Sequence, residues 1–415
     1  MEKEFAVFDL KAYYASFECV ERGLDPFTTP LVVSDTTRRE STIVLSVSPY
    51  LKSLGVPSRC RRRDLPDIKG MIYAIPQMEK YVKRSADIVS LFLDYFGEDD
   101  IHVYSIDELF VYLTPYLRLY KKDSLSLCKD LQKKIFDTYK LTMTCGIGPN
   151  MFLAKVCDDI DAKNAKGFIA RWTKDNFKEK LWAISPLDKM WGISKGYTKR
   201  LNDLGIYSIY DLAHADKEML ISKLGVMGEE LYEHANGIDD TDIREKYIPV
   251  NKNLSLGQVL MKDYTIEETL LIIKEMTDDL AFRMRHLGLE TKKVHLYIRY
   301  SFATDGGFTH QIDMMEPTSN NFEIYKGLEY LFLKYVNKKA FIRQVGISFS
   351  NLTNKKNHQL SIFTSLENYD KNNKIYEALD EIQDKYGKNA ILRVDSLKRY
   401  STAKDRHNQI GGHRK

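Results

Sequence analysis

Two apolar, strand-forming runs of this chain carry acid where a strand interior does not normally accept it. The first, Phe5-Ala6-Val7-Phe8, ends at Asp9; the second, Ile101 to Leu113, is broken at Ser105-Ile106-Asp107-Glu108. Carboxylates are poor strand residues, and burying them is costly unless they are paired or hold a cation. A hairpin tip accommodates the second pair. If the two strand ends meet, three carboxylates converge on a hard-oxygen site suited to Mg²⁺. Such sites commonly hold two ions roughly 4 Å apart, which activate an attacking oxygen and stabilise a leaving phosphate oxygen. A charged turn is the plainer reading of the second tetrapeptide alone.

The rest of the chain sets the frame. Its 415 residues exceed one ordinary core, so two to four domains are expected. With 43% hydrophobic and 29% charged residues, it is neither disordered nor collagen-like. Apolar runs such as Ile88 to Phe96 are broken by charge within a helix length, so no membrane span is expected. Met-Glu-Lys-Glu lacks the basic-then-apolar layout of a signal peptide, and a cytoplasmic location is expected. Cys19, Cys60, Cys128, Cys145 and Cys157 form no CxxC pair and read as reduced thiols. Net charge is +4, but Lys334 to Lys415 carries 17 basic and 8 acidic residues. That asymmetry suggests a polyanionic partner such as nucleic acid, or else a solvated basic surface.

Periodicity then divides the chain. Up to about residue 165, strands (Glu4 to Leu10, Leu31 to Val33, Ile43 to Val47, Leu141 to Ile147) alternate with helices (Lys11 to Glu21, Glu79 to Phe96, Leu125 to Tyr139, Met151 to Ala162). From Trp172 to Asp242, short helices follow glycine turns at Gly192-Ile193-Ser194-Lys195-Gly196 and at Gly225-Val226-Met227-Gly228. A glycine turn opening a helix offers backbone N–H groups to a phosphate, or is an ordinary packing unit. Ser255 to Ser350 reads βαββαβ, with helices at Ile266 to His286 and Asn321 to Val336. One further helix, Lys374 to Tyr386, is expected beyond it.

Three ordered segments carry a resemblance. Phe8-Asp9-Leu10-Lys11-Ala12-Tyr13-Tyr14-Ala15-Ser16-Phe17-Glu18, Tyr104-Ser105-Ile106-Asp107-Glu108, and Cys145-Gly146-Ile147-Gly148-Pro149-Asn150-Met151-Phe152-Leu153-Ala154-Lys155 resemble the three motifs of Y-family, UmuC/DinB-like translesion DNA polymerases. The chain looks most like the UmuC-like branch of Gram-positive bacteria and mobile elements. The resemblance implies a multidomain α+β right hand. Palm would be residues 1–10 and 76–165, fingers 11–75, a helix-hairpin-helix thumb 166–240, a linker 241–252, a βαββαβ little finger 253–350 and a tail 351–415.

It also implies roles. Asp9, Asp107 and Glu108 would be catalytic and bind two Mg²⁺ ions, with the Leu10 carbonyl assisting. Leu10, Lys11, Ala12, Tyr13 and Tyr14 would line the incoming dNTP, Tyr14 as a steric gate against the ribose 2′-hydroxyl. Lys52 and Lys163 would hold the triphosphate, with Lys166 as rival to Lys163. The family's usual Tyr-x-x-Arg reads Pro49-Tyr50-Leu51-Lys52 here, so a bidentate fork is replaced by a point charge. Gly192, Ile193 and Gly196 would touch primer–template DNA, and Arg61-Arg62-Arg63 would either touch template phosphates or be solvated. Gln359-Leu360-Ser361-Ile362-Phe363 resembles the peptide that bacterial polymerases insert into the sliding clamp (β); a short edge strand is the alternative. An accessory UmuD-like protein is a further implied partner. A non-catalytic DNA- and clamp-binding regulator, or a two-metal nuclease, are the competing functions.

Overall fold

The computed structural model describes residues 2–246, 252–355 and 366–415. The expected clamp peptide, Gln359 to Phe363, lies outside the described residues. The chain forms two compact units, Met1–Lys246 with His413–Lys415, and Tyr247–Gly412.

The first unit is organised by a five-stranded sheet. Its order is Ile101–Val103, Glu108–Tyr112, Phe5–Leu10, Met143–Gly148, Ile169–Arg171. Phe5–Leu10 is central because Phe5, Ala6, Val7 and Phe8 are apolar in succession and buried on both faces. It pairs antiparallel with both neighbours, and the register sets Asp9 opposite Glu108 on one side and Thr144 on the other. Helix Met151–Ile160 lies against Met143–Gly148. The approach is so close that a Cβ on Gly146 would fall 2.3 Å from the Ala154 carbonyl oxygen. Nothing larger than glycine fits there, and this fixes where the helix delivers its polar face.

A small three-stranded sheet, Ser46–Val47, Leu31–Val33 and Ile72–Ala74, carries helix Tyr13–Glu21 and the short helix Pro49–Ser53. Five helices between Phe177 and Ala235 pack around Trp172, Leu181, Leu201, Leu212, Leu220 and Leu231. Of the two glycine turns, the second differs from the sequence reading. Gly225 (φ +67°) makes the turn, and the helix starts at Val226. Gly228 lies inside that helix, where a Cβ would meet the Leu220 carbonyl oxygen at 2.2 Å; it is a packing glycine. Helix Thr114–Tyr120, led by Pro115, is absent from the sequence reading.

The second unit has a four-stranded antiparallel sheet, ordered Gly307–Thr318, Leu289–Tyr300, Ile342–Asn354, Leu254–Tyr264. Helices Ile266–His286 and Asn321–Tyr335 cover one face, and Ile272, Met276, Leu280, Leu296, Ile298, Phe332 and Ile347 fill the space between. Thr265 and Glu268 cap the first helix reciprocally.

The tail holds more structure than the sequence suggested. Its helix runs Leu366–Tyr386, followed by a 3₁₀ turn at Val394–Leu397 and helix Ala403–His407. These segments lie along the outer face of Ile266–His286. Asp380 takes two bonds from Arg285 (2.7 Å each), Arg393 grips Asp278, Ser401 donates to Glu275 (2.5 Å), and Arg406 and His407 meet Asp279 (2.6 and 2.7 Å).

Candidate active site

Asp9 and Glu108 face each other as paired strand residues, and Asp107 occupies the adjoining turn. That turn is tied down twice. The Leu10 N–H donates to the Asp107 carbonyl (2.8 Å), and Ser105 Oγ donates to Asp107 Oδ1 (2.6 Å). The sheet thus does what the sequence pattern required of it, joining acids about a hundred residues apart.

A second set of charges comes from the third motif and the turn after it. Lys155 Nζ lies 2.9 Å from Glu108 Oε1 and 3.0 Å from Asp159 Oδ1. Lys163 Nζ lies 2.7 Å from Asp9 Oδ2, 2.6 Å from Asp159 Oδ1 and 3.4 Å from Asp158 Oδ2. Carboxylate oxygens of Asp9, Asp158 and Asp159 all fall within 4.8 Å of one another. Lys155, Asp158 and Asp159 were missed by the sequence reading, which ended the motif at Lys155. The signal was present: spacings of three and four place these side chains on one helix face.

The cluster is short of positive charge. Burial pushes the Asp9 and Glu108 carboxyls above the usual carboxylate range despite the opposing lysines. It pushes Asp158, fully buried, up to about 7. Lys163 is raised because Asp9, Asp158 and Asp159 outweigh its own desolvation. Among the described residues, Asp9, Glu108, Asp158 and Asp159 share close ion pairs with two lysines, Lys155 and Lys163, and Asp107 adjoins them. An excess of hard oxygen donors in a half-buried site is the chemistry that divalent Mg²⁺ or Mn²⁺ relieves.

The substrate-side residues divide. The Leu10 and Lys11 N–H groups are already bonded, to the Asp107 and Thr142 carbonyls (2.8 and 2.9 Å). Contrary to the sequence reading, these two N–H groups are therefore not free for a phosphate, because carbonyls flanking the neighbouring strands have taken them. The Ala12 and Tyr13 N–H groups find no hydrogen-bond acceptor among the described residues. Ala12 is left-handed (φ 50°, ψ 48°), a strained state for a residue with a Cβ, and no side chain caps the helix it opens. Lys11 lies over the Phe168 ring (4.3 Å) and donates to the Lys163 carbonyl. Desolvation lowers both Lys11 and Lys52; Lys52 and Lys163 lower Lys11 further, and Asp9 opposes the shift at Lys52. Lys11, Lys52 and Lys163 thus share one field. Tyr14, partly exposed, is tilted against Tyr81 with ring centroids 4.9 Å apart. Desolvation and then Asp107 raise its phenol.

In the helical part, Gly192 (φ +93°) turns the chain, Ser194 caps helix Lys195–Asp203, and Gly196 is in its exposed first turn. Ile193 is buried and its N–H is bonded to Met190, so it serves the core and not a ligand. Arg62 is likewise structural, donating to the Asp35 and Arg38 carbonyls (3.1 and 3.0 Å).

Comparison with known proteins accords with this geometry. The impB/mucB/samB family matches residues 8–159, and its C-terminal domain matches residues 251–362. The chain belongs to this family, the UmuC/DinB-like Y-family DNA polymerases, whose work is translesion synthesis and which depend on divalent metal. Within it, the chain is similar to the putative UV-damage repair protein UvrX of Bacillus subtilis, with 35% identity over 99% of this chain and 98% of the relative. DNA polymerase IV 2 of the same organism is 30% identical over the full length of both. In fold, it resembles a Y-family DNA polymerase chimera with a TM-score of 0.67 at 18% identity, covering 84% of this chain and 98% of the other. No helix among the described residues is long and apolar enough to cross a membrane.

Proposed function

We propose that this protein adds deoxynucleotides to a primer 3′ end opposite damaged template, with low fidelity, through a site holding two Mg²⁺ ions. The observation that carries this is the pairing of Asp9 with Glu108 beside the Asp107 turn, backed by the bank of Lys11, Lys52 and Lys163. Asp9, Asp107, Glu108 and the Leu10 carbonyl would hold the metal. When bound, it supplies activation of the primer oxygen and charge neutralisation on the leaving pyrophosphate. Ala12 and Tyr13 present N–H groups and the three lysines present charge to the triphosphate. Tyr14 stands where a 2′-hydroxyl would enter. Gly192 and Gly196 offer the helix-hairpin-helix turn to a DNA phosphate.

Primer–template DNA and dNTP are the ligands of this reading; the sliding clamp, through Gln359 to Phe363, and a UmuD-like accessory protein are its proposed partners. The departures at Pro49 and Lys52 are what favour a non-catalytic regulator. Lys52 nevertheless shares the electrostatic field of Asp9 and Asp107, so that motive weakens. Primer extension with Mg²⁺ and four dNTPs, with and without clamp, tests the proposal. Extension by wild type and none by Asp107→Ala/Glu108→Ala is expected. Equal inactivity of the two proteins under both conditions rejects catalysis, and shortening of the primer would indicate a nuclease.

A further inference from the structure

The first motif ends in Glu18, a residue that the chemistry above leaves without a task. It is fully buried, on the helix that begins at Tyr13. A buried carboxylate persists only when well bonded. Tyr81, also fully buried, donates its phenol to Glu18 Oε1 at 2.5 Å, and Gln77 Nε2 donates to the same oxygen at 3.1 Å. Arg22 grips the other carboxylate oxygen. The Tyr81 ring is enclosed on one side by Tyr13 and Phe17, with centroids at 6.2 and 5.1 Å. The Tyr13 hydroxyl donates to the Tyr81 carbonyl at 2.6 Å, which pins the backbone of the helix carrying Tyr81. The Tyr14 ring also lies against it, with centroids 4.9 Å apart.

We infer that Tyr81, fixed by Glu18, is a positioning residue for sugar selection, the rigid backing against which the Tyr14 ring stands. This rests on the reading of Tyr14 as the sugar gate. A gate excludes a hydroxyl only if it cannot recede, because one extra oxygen is rejected through a displacement of about an ångström. Tyr14 is partly exposed and has no hydroxyl bond of its own among the described residues. Its rigidity therefore comes from packing, against Tyr13 (5.5 Å between centroids), the cluster of Ala15, Cys19, Leu31, Val33 and Ala74, and Tyr81. Of these, Tyr81 is the ring whose own hydroxyl is locked by a charge-assisted bond, which is shorter and stronger than a neutral one. A leucine or alanine at 81 leaves space into which Tyr14 retreats.

The test is the ratio of kcat/KM for a deoxynucleotide to that for the matching ribonucleotide, measured with Tyr81→Leu, Tyr81→Phe, Glu18→Ala, Glu18→Gln and Tyr14→Ala, each with a thermal melt. Tyr81→Leu and Glu18→Ala are expected to lower the ratio about tenfold. Glu18→Gln keeps an acceptor and should hold it within about threefold, whereas Tyr81→Phe keeps the ring but loses the lock and should fall between that and Tyr81→Leu. Tyr14→Ala should lower it most. If Tyr14→Ala alone lowers the ratio, the inference about Tyr81 and Glu18 is wrong while the gate stands. If Tyr14→Ala leaves it unchanged, the gate reading itself fails. Lower melting temperatures with unchanged ratios would assign Tyr81 a purely structural role, and Tyr81→Phe supplies a folded variant should Tyr81→Leu not fold.

Discussion

Two clusters of buried charge in this molecule are built on opposite plans. In the second unit, three acids of Ile266–His286 meet matched partners in the tail: Asp278 with Arg393, Asp279 with Arg406 and His407, Glu275 with Ser401 and Thr402. Bonding from His407 and Arg406 holds the Asp279 carboxyl below the usual range even though burial pushes the other way. In the first unit, burial wins: Asp9, Glu108 and Asp158 are all raised, and two lysines are shared among more acids than they can satisfy. The first plan closes an interface. The second leaves an acid-rich site incomplete, where a bound cation would restore the charged carboxylates.

The contrast is broken most severely at the site. Asp107→Asn or Glu108→Gln is expected to lower kcat on the order of 10³-fold or more in steady-state extension, with little loss of melting temperature. A stability loss comparable to that of a core mutation would mean the acids are structural, as those of the tail interface are.

The next effect belongs to the tail. Arg406→Ala leaves Asp279 buried without its guanidinium and should cost roughly 3 kcal/mol, visible as an earlier urea midpoint for the second unit. His407 still faces Asp279, so the loss falls short of complete unfolding. An unchanged midpoint would make the tail a loose appendage. Acid should act likewise. A carboxyl held low in the fold contributes stability above its unfolded value, near 3.8, and loses it as pH falls through the lower folded value. The interface should therefore weaken only below about pH 4.

The site should respond with the opposite sign. Asp158, raised to about 7 from 3.8, binds its proton more readily folded than unfolded. In metal-free protein, stability is therefore gained as pH falls from above 7 toward the unfolded value. Asp158→Asn should be more stable than wild type above pH 7 and should flatten that slope. Parallel pH profiles for the two proteins in chelator would overturn this.

What the sequence disclosed follows the same divide. Asp9, Asp107 and Glu108 were legible because acid inside a β-prone run is locally anomalous, and the βαββαβ order was legible from period alone. Asp158 and Asp159 were not, since acids on a helix read as solvated until Gly146 and Gly148 are seen to press that helix onto the sheet. The loss of the Leu10 and Lys11 donors was invisible for a similar reason, as it depends on acceptors, Asp107 and Thr142, that are distant in the chain. The tail's order rests on pairs such as Arg285 with Asp380, in which neither residue signals the other.

The smallest effect concerns the residue where the family motif departs. Lys52 stands on helix Pro49–Ser53, capped by Ser48, with Pro49 in its first turn. The proline costs nothing there, because a first-turn N–H has no helical partner. Its arrival in place of a tyrosine removes a hydroxyl but not the helix that aims Lys52. Lys52→Ala should raise KM for dNTP about tenfold, which is about 1.4 kcal/mol, and leave kcat within a few-fold, as for a contact made equally in ground and transition states. Lys52→Arg should recover most of the loss, because the contribution is charge in the shared field of Asp9, Asp107 and Lys163 and not a fork. A drop in kcat with KM unchanged would instead place Lys52 on the leaving pyrophosphate. No change in either constant would remove it from the phosphate bank and leave Lys11 and Lys163 to hold the nucleotide.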